Sequence, residues 1–212
     1  MTQVQINDKR GVSFPSAVRA FLRHDPDILL IGEIRDQLTA QEALRAAMTG
    51  HQVFTTLHTN KAIDVFFRLH DLGIPFTSMA DHLSMIISQR LIRKLCPECK
   101  KPIKPTDELI NKIKTVLSPI KSRFNLPELN TSLKIYGAGE CANCNFSGYR
   151  DRIGVFEIFV VSKNIERLIL TSPPMSAVED MAISEGMITL IQDAYIKLID
   201  GITSIEEIER VI

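Results

Sequence analysis

The sequence lacks the features that draw a protein into a membrane, onto nucleic acid or out of the cell. Its 25 Lys and Arg residues match its 25 Asp and Glu residues, so the formal net charge is zero. No global field therefore attracts nucleic acid or anionic lipid. No apolar run approaches the ~18 residues of a membrane span, and the first residues lack the apolar core of a signal peptide. We expect a cytoplasmic protein with no membrane span.

A nucleotide-binding motif is also absent. No G-x-x-x-x-G-K-[ST] occurs, because none of the glycines precedes a lysine. The backbone N–H groups and the lysine of such a loop hold the phosphates of a nucleotide. A nucleotide site built from this chain by itself would therefore be half complete.

Cysteine is scarce, but its spacing is informative. The four cysteines form two C-x-x-C pairs, Cys96 with Cys99 and Cys141 with Cys144, separated by 41 residues. Without an export signal, such pairs favour a metal over disulfides. Two pairs are typical of tetrahedral zinc, and four thiolates leave no open position for catalysis. The alternative is four buried free thiols. The gap between the pairs predicts a separate excursion of the chain, with a helix over Thr106–Leu117.

The stretch from Asp25 to Asn60 organises the chain. The run Ile28–Ile31 predicts a strand buried on both faces, and Gln52–Leu57 predicts a second strand. A helix between them would make a βαβ unit, whose parallel strands end at one edge of a sheet. Polar side chains follow each strand, including Glu33 after the first and His58 after the second. We therefore expect these two side chains to lie at the same edge.

Apolar periodicity and capping signals predict the other elements. The helix between the two strands has a capping box of Thr39 with Glu42 and stops at Gly50. Strands are also predicted over Met1–Asn7 and Ile153–Val161. The other predicted helices are Ser13–His24 (capped by Ser13), Lys61–Leu72 (capped by Asn60), Thr77–Leu95, Asn164–Leu170, Ser176–Ile183, Leu190–Leu198 and Thr203–Val211 (with a capping box of Thr203 and Glu206). Helix-end or loop carboxylates are predicted at Asp25, Asp27 and Asp36.

Several stretches resemble the secretion ATPases that drive type II secretion and type IV pilus assembly. They cover nearly the whole chain in the family's order, and the pilus assembly ATPases are the favoured members. The matching stretches are QVQIN (Gln3–Asn7), LRHDPDILLIGEIRD (Leu22–Asp36), TGHQVFTTLHTN (Thr49–Asn60), SQRLIRKLCPECK (Ser88–Lys100) and GYRDRIGVFEIF (Gly148–Phe159).

The resemblance implies an α/β fold. The chain would be the C-terminal part of a RecA-like P-loop NTPase core, with an inserted four-cysteine zinc module and C-terminal helices. Residues 1–95 would form the partial core, with a Walker B motif and a histidine box but no Walker A motif. Residues 96–147 would form the zinc module, and residues 148–212 the returning strand and the last helices.

The resemblance also implies an activity and partners. The complete family enzyme is a homo-hexamer that hydrolyses ATP with Mg²⁺ and carries structural Zn²⁺. It would sit at the inner membrane through a platform protein of the pilus or secretion machine, without contacting nucleic acid. Because this chain lacks the phosphate loop, we expect no hydrolysis from it alone.

Two alternatives remain: a non-catalytic module that binds the platform or the ATPase ring, and a zinc-ribbon nucleic-acid binder, which the zero net charge disfavours.

Roles for individual residues follow from the same resemblance. Glu33 would be the catalytic carboxylate, which orients or deprotonates the attacking water or holds the water shell of Mg²⁺. His58 would sense the γ-phosphate, with His51 assisting nucleotide sensing by orienting the local loop. Arg19 and Arg23 would lie at a subunit interface. The residues alone also permit a surface carboxylate, hydrogen-bonded structural histidines and solvated helix arginines.

A local basic cluster has two interpretations. Its members follow or close the helix predicted over Thr77–Leu95, where positive charge suits a helix C-terminus. The cluster is either a solvated surface or a contact with the inner membrane or a membrane partner. Its members are Arg90, Arg93, Lys94, Lys100, Lys101 and Lys104.

Overall fold

The computed structural model describes residues 2–24, 26–120 and 122–212, apart from the side chain of Asp8. The chain divides into two compact units, residues 1–86 with 160–179 and residues 87–159 with 180–212. The architecture is mixed α/β, as predicted. The boundaries of these two units differ from those of the three segments that the resemblance implies (residues 1–95, 96–147 and 148–212). The division into those three segments therefore stays a prediction.

Helices and strands are mixed along the chain, and the last four elements are all helices. The strands are β1 (Ile28–Ile31), β2 (Gln52–Thr55), β3 (Met85–Leu95), β4 (Lys101–Ile103), β5 (Ile135–Gly137) and β6 (Tyr149–Val160). The helices are α1 (Phe14–Phe21), α2 (Gln37–Met48), α3 (Asp64–Asp71), α4 (Phe76–His82), α5 (Asp107–Leu117), α6 (Lys163–Ile169), α7 (Met175–Glu185), α8 (Leu190–Ile199) and α9 (Ile205–Val211). No described helix is long and apolar enough to cross a bilayer.

The predicted βαβ unit is present in the first compact unit. β1 and β2 pair in parallel, with Ile28 opposite Gln52 and Ile31 opposite Thr55, and α2 connects them. The prediction that β1 is buried on both faces is wrong. Ile31 is buried, whereas Leu30 is 73% exposed. Successive side chains point to opposite faces of a strand, and an unbroken apolar run does not show how many faces are covered.

The N-cap of helix α2 lies three residues before the predicted cap, Thr39. Asp36 is the N-cap, and its carboxylate accepts from the backbone N–H and the hydroxyl of Thr39, both at 2.9 Å. Aspartate is itself a strong N-cap, so Thr39 and Glu42 lie inside the helix and are buried. The predicted stop is confirmed, because Gly50 follows the helix with a φ of +92°.

The largest error concerns residues 77–95, which form two elements and not one helix. Helix α4 ends at His82, and β3 follows with buried and exposed residues in alternation. The apolar residues there satisfy a helical and an alternating pattern at once. The deciding interaction is pairing with β6, which is distant in sequence. Hydrogen bonds from Cys96 N–H to Gly148 O and from Val161 N–H to Ser84 O show that the two strands run antiparallel.

Most other predicted helices are confirmed within a few residues, and Ser13 caps α1 as predicted. The N-cap of α3 is Ile63 and not Asn60. The N-cap of α9 is Ser204 and not Thr203. The predicted caps lie three residues before Ile63 and one residue before Ser204. Asp25 and Met1 lie outside the described residues. Residues 2–6 form no regular strand, and only Asn7 makes a bridge, to Val12.

The second unit has its own core. Helix α5 is capped by Thr106, whose hydroxyl accepts from Leu109 N–H at 3.1 Å, and it packs against α8. β4 and β5 pair antiparallel beside them. The fully buried side chains of this core are Ile92, Ile113, Leu117, Ile120, Ile135, Val155, Ala194, Tyr195 and Leu198.

Candidate functional site

Glu33 and His58 meet just beyond the carboxyl ends of β1 and β2, as predicted. Parallel pairing brings both strand ends to one edge. The two segments that follow are joined by hydrogen bonds. Ile34 N–H donates to Thr56 O at 3.0 Å, and the Thr56 hydroxyl donates to Gly32 O at 2.7 Å. The backbone on either side of Glu33 is therefore fixed relative to the end of β2.

Both carboxylate oxygens of Glu33 have a cationic or polar partner. Oε1 lies 2.5 Å from the Arg35 guanidinium, and Oε2 lies 3.0 Å from His58 Nε2. Hydrogen bonds from Arg35 and then from His58 hold the pKa of Glu33 below its ordinary value. Glu33 is thus ionised at neutral pH and is a hydrogen-bond acceptor. Its side chain is 23% exposed and that of His58 is 84% exposed, so solvent and solutes reach both. Arg35 is the partner that sequence reasoning missed, although it lies two residues from Glu33.

His51 lies at the other end of β2 from His58. Its Nδ1 is 3.1 Å from Ala46 O and 3.0 Å from the Thr49 hydroxyl. A carbonyl oxygen only accepts, so Nδ1 carries the proton in this contact. His51 therefore holds the turn from α2 into β2, which agrees with loop orientation, and the structure does not bring it beside Glu33.

Arg19 makes an ion pair that the sequence did not predict. Its Nη1 is 3.5 Å from Glu42 Oε1, and Arg45 Nη1 approaches the same oxygen at 3.2 Å. Glu42 is buried. In the sequence, the only signal for this burial is the alanine-rich face of the helix on which Glu42 lies. Arg23 lies in the 3-10 turn Leu22–His24 and is exposed.

The four cysteines converge on one point. All four sulfur atoms lie within 4.8 Å of one another. Cys96 and Cys141 sulfurs are 3.8 Å apart, and those of Cys99 and Cys144 are 3.7 Å apart. Tetrahedral zinc with Zn–S bonds of about 2.3 Å separates its sulfur ligands by about 3.8 Å. The donor set and its spacing therefore fit a structural zinc ion.

The loops that carry the cysteines have the close backbone approaches of metal knuckles. Gly148 N–H donates to Cys144 Sγ at 3.3 Å, and Gly148 has a left-handed φ of +75°. A Cβ on Gly139 would lie 1.8 Å from Cys99 O, so only glycine lets the two cysteine loops meet there.

The members of the basic cluster differ in their contacts. Arg93 forms an ion pair with Glu207 at 2.6 Å, and Lys100 Nζ donates to Gly201 O at 2.9 Å. These two residues therefore hold the fold together. The others are partly or fully exposed, and because β3 replaces the predicted helix, Arg90, Arg93 and Lys94 do not close a helix. Whether the exposed members contact a membrane partner stays a prediction.

Comparisons with known proteins agree with the resemblance. The family model described as "Type II/IV secretion system protein" matches residues 1–210. The type IV pilus assembly ATPase PilB of Pseudomonas aeruginosa is 37% identical over 211 residues, which are 100% of this chain and 35% of that protein. The type II secretion system protein E of Dickeya dadantii is 36% identical over 209 residues, 99% of this chain and 39% of that protein.

Two solved structures are similar to this chain. The pilus retraction motor PilT with bound ADP is similar with a TM-score of 0.61 and 27% identity, over 93% of this chain and 43% of that one. The ATPase DotB of Legionella pneumophila has a TM-score of 0.62 at 20% identity, over 93% of this chain and 42% of that one, and shows the fold alone. The chain spans less than half the length of each of these relatives.

Proposed function

The chain belongs to the type II/IV secretion system protein family, and from this premise we propose that it is the C-terminal part of an ATPase motor. The motor would power type IV pilus assembly or type II protein secretion, with pilus assembly favoured. The observation that carries the proposal is the meeting of Glu33 and His58 beyond a parallel strand pair. In α/β folds this edge is where ligands bind.

The proposal extends to the assembly. The first segment, residues 1–95, would contribute the Walker B and histidine-box half of a RecA-like core. A homo-hexamer of complete chains would hydrolyse ATP with Mg²⁺ on the cytoplasmic side and act on a platform protein of the inner membrane. Arg19 and Arg23 would lie at the subunit interface. The exposure of Arg23 and the partial exposure of Arg19 support this placement.

Glu33 would orient water by accepting a hydrogen bond. A general base works best when its pKa is near the operating pH, and Arg35 and His58 lower the pKa of Glu33. The carboxylate is therefore better suited to positioning the attacking water, or the water shell of Mg²⁺, than to removing a proton. His58 is exposed at the same edge, where it can contact a terminal phosphate.

The four-cysteine cluster would bind one Zn²⁺. The matching sulfur separations support this. The ion would supply only structural cross-linking, because four thiolates complete its coordination.

A chimera tests the catalytic role. The upstream part of PilB from Pseudomonas aeruginosa would precede this chain, so that a phosphate loop is supplied. Glu33→Gln should lower ATP hydrolysis by about 10²-fold, the cost of a misplaced reacting group, while leaving nucleotide binding intact. The control is Glu166→Gln, because Glu166 is also paired, with Lys163 at 2.8 Å, but lies on α6. Near-normal turnover in Glu33→Gln, or an equal loss of binding and turnover, contradicts the role.

The alternative is an interaction module without turnover, which the absent phosphate loop favours. It would bind the inner-membrane platform or the ATPase ring. A pull-down with the platform protein, carried out beside an ATPase assay, separates the two functions. Binding of the isolated chain without any effect of Glu33→Gln in the chimera would favour the module.

A further inference from the structure

The cysteine cluster is joined to the C-terminal part of the chain through one short segment. Gly148 contacts a cysteine of each pair. Its N–H donates to Cys144 Sγ at 3.3 Å, and its carbonyl accepts from Cys96 N–H at 2.9 Å. Tyr149 follows directly. The position of the Tyr149 backbone is therefore set by the loops that hold the four sulfurs.

Tyr149 in turn contacts the start of α9 in two ways. Its hydroxyl shares a hydrogen bond of 2.8 Å with the hydroxyl of Ser204, the N-cap of that helix. Its ring lies 4.0 Å below the Arg93 guanidinium, a cation–π contact. Arg93 holds Glu207 on the first turn of α9 through Nε at 2.8 Å and Nη2 at 2.6 Å.

The first cysteine pair is attached to the same region from both sides. Leu95 N–H, immediately before Cys96, donates to Ile202 O at 2.8 Å. Lys100, immediately after Cys99, donates to Gly201 O at 2.9 Å. The loop that enters α9 is thus fixed by residues next to the metal ligands.

Because two of the residues in these contacts are buried, losing the contacts would be costly. Ser204 and Glu207 are 0% exposed, so water does not replace a lost partner. A buried carboxylate that loses donors is costly. Without Tyr149, the buried Ser204 hydroxyl would keep only its hydrogen bond from Glu207 N–H, at 3.4 Å. If the cysteine loops moved apart, Tyr149 and Arg93 would shift and α9 would lose its anchor.

We propose that metal binding at the four-cysteine cluster and docking of helix α9 are thermodynamically linked through Tyr149, which acts as a positioning residue between them. The inference rests on the proposed zinc site. Linkage is reciprocal. Zinc therefore stabilises docked α9, and changes in the α9 anchor weaken zinc binding although they touch no sulfur.

Zinc affinity measures one direction of the linkage. Competition with a chromophoric chelator would compare the unmodified chain with Tyr149→Phe and Glu207→Gln. Tyr149→Phe keeps the ring over which Arg93 lies and removes only the hydroxyl, so it should fold. Both variants should raise the zinc dissociation constant by about 5- to 150-fold, the usual range for coupled sites. The control is Glu209→Gln on the same helix, where the side chain is 57% exposed and pairs with Lys112.

Affinities of both variants equal to that of Glu209→Gln would overturn the linkage. In that case the zinc site would stand and only the coupling would fail. A chain with no measurable zinc affinity would contradict the proposed zinc site itself, and the linkage with it.

Hydrogen exchange measures the other direction. After zinc is removed by chelation, the amides of residues 201–211 should lose protection, while α5 should keep its protection in the core. In Tyr149→Phe, chelation should change the protection of α9 by less, because part of the connection is already lost. Unchanged protection of α9, or an equal loss across α5, α8 and α9, would overturn the proposal.

Discussion

Removing the charge of Glu207 should destabilise the second unit while preserving the shape of the side chain. Glu207 is fully buried and accepts from two arginines. Arg93 donates through its backbone N–H at 2.8 Å and through its guanidinium, and Arg210 donates through Nε at 2.8 Å and Nη2 at 2.6 Å. Glu207→Gln keeps the volume but leaves two guanidinium groups facing a neutral amide.

The lowered pKa of Glu207 gives the size of the expected loss in the free energy of unfolding. Burial raises this pKa, but the hydrogen bonds from Arg210 and Arg93 outweigh burial and lower the pKa from 4.5 to about 2. A shift of that size corresponds to ~3 kcal/mol of differential stabilisation. The two guanidinium groups are partly exposed, and solvent screening reduces the figure to about 2 kcal/mol. We expect a loss of this size in the free energy of unfolding at pH 7.

The sign of the pH dependence follows from the same pKa. Because folding lowers the pKa of Glu207, its stabilisation is complete above the ordinary value of 4.5. It is lost as the pH falls from about 5 through about 2. The difference between the unmodified chain and Glu207→Gln should therefore shrink over that range.

Urea unfolding followed by circular dichroism at several pH values measures both effects. Glu209→Gln is the matched control, because its exposed ion pair with Lys112 should contribute about 0–1 kcal/mol. A loss in Glu207→Gln no larger than in Glu209→Gln would refute the reasoning. A difference that stays constant from pH 7 to pH 2 would refute it too, since the charge would then not be its cause.

The remaining predictions concern the two candidate sites. Metal analysis of protein purified without chelator should find about one zinc per chain, and Cys141→Ser should lower thermal stability through loss of a ligand; a stable metal-free protein with four titratable thiols would contradict this. The isolated chain should show no ATP hydrolysis, because it has no phosphate loop to hold the nucleotide, and turnover that Glu33→Gln abolishes would prove this wrong. In the chimera, His58→Ala should reduce turnover less than Glu33→Gln does, since His58 would contact phosphate and not the attacking water. If His58→Ala changed neither binding nor turnover, a purely structural histidine would be preferred.

Local pattern was enough to predict the candidate sites. Each cysteine pair is a short contiguous motif, and two such pairs predict a tetrahedral cluster wherever the chain brings them together. Glu33 and His58 each follow a strand, and parallel pairing places such residues at one edge without further information. The capping signal at Ser13 predicted the start of α1 because a cap acts within one turn.

Tertiary contacts decided the rest. Residues 85–95 have apolar positions that fit a helix or a strand, and only pairing with β6 selects the strand. An apolar run such as Ile28–Ile31 also does not show whether one face or two are covered.

The partners of the buried charges could not be predicted for a related reason. In the sequence, Glu207 lies within the helix predicted over Thr203–Val211, and Tyr149 lies before the strand predicted over Ile153–Val161. Their roles depend on Arg93, far away in sequence, which reaches both of them. The sequence by itself determined which groups could bind metal or meet at a strand edge, because neighbouring residues specify those arrangements. Only the tertiary structure decided which charges are buried together, because burial depends on packing between segments that local pattern does not connect.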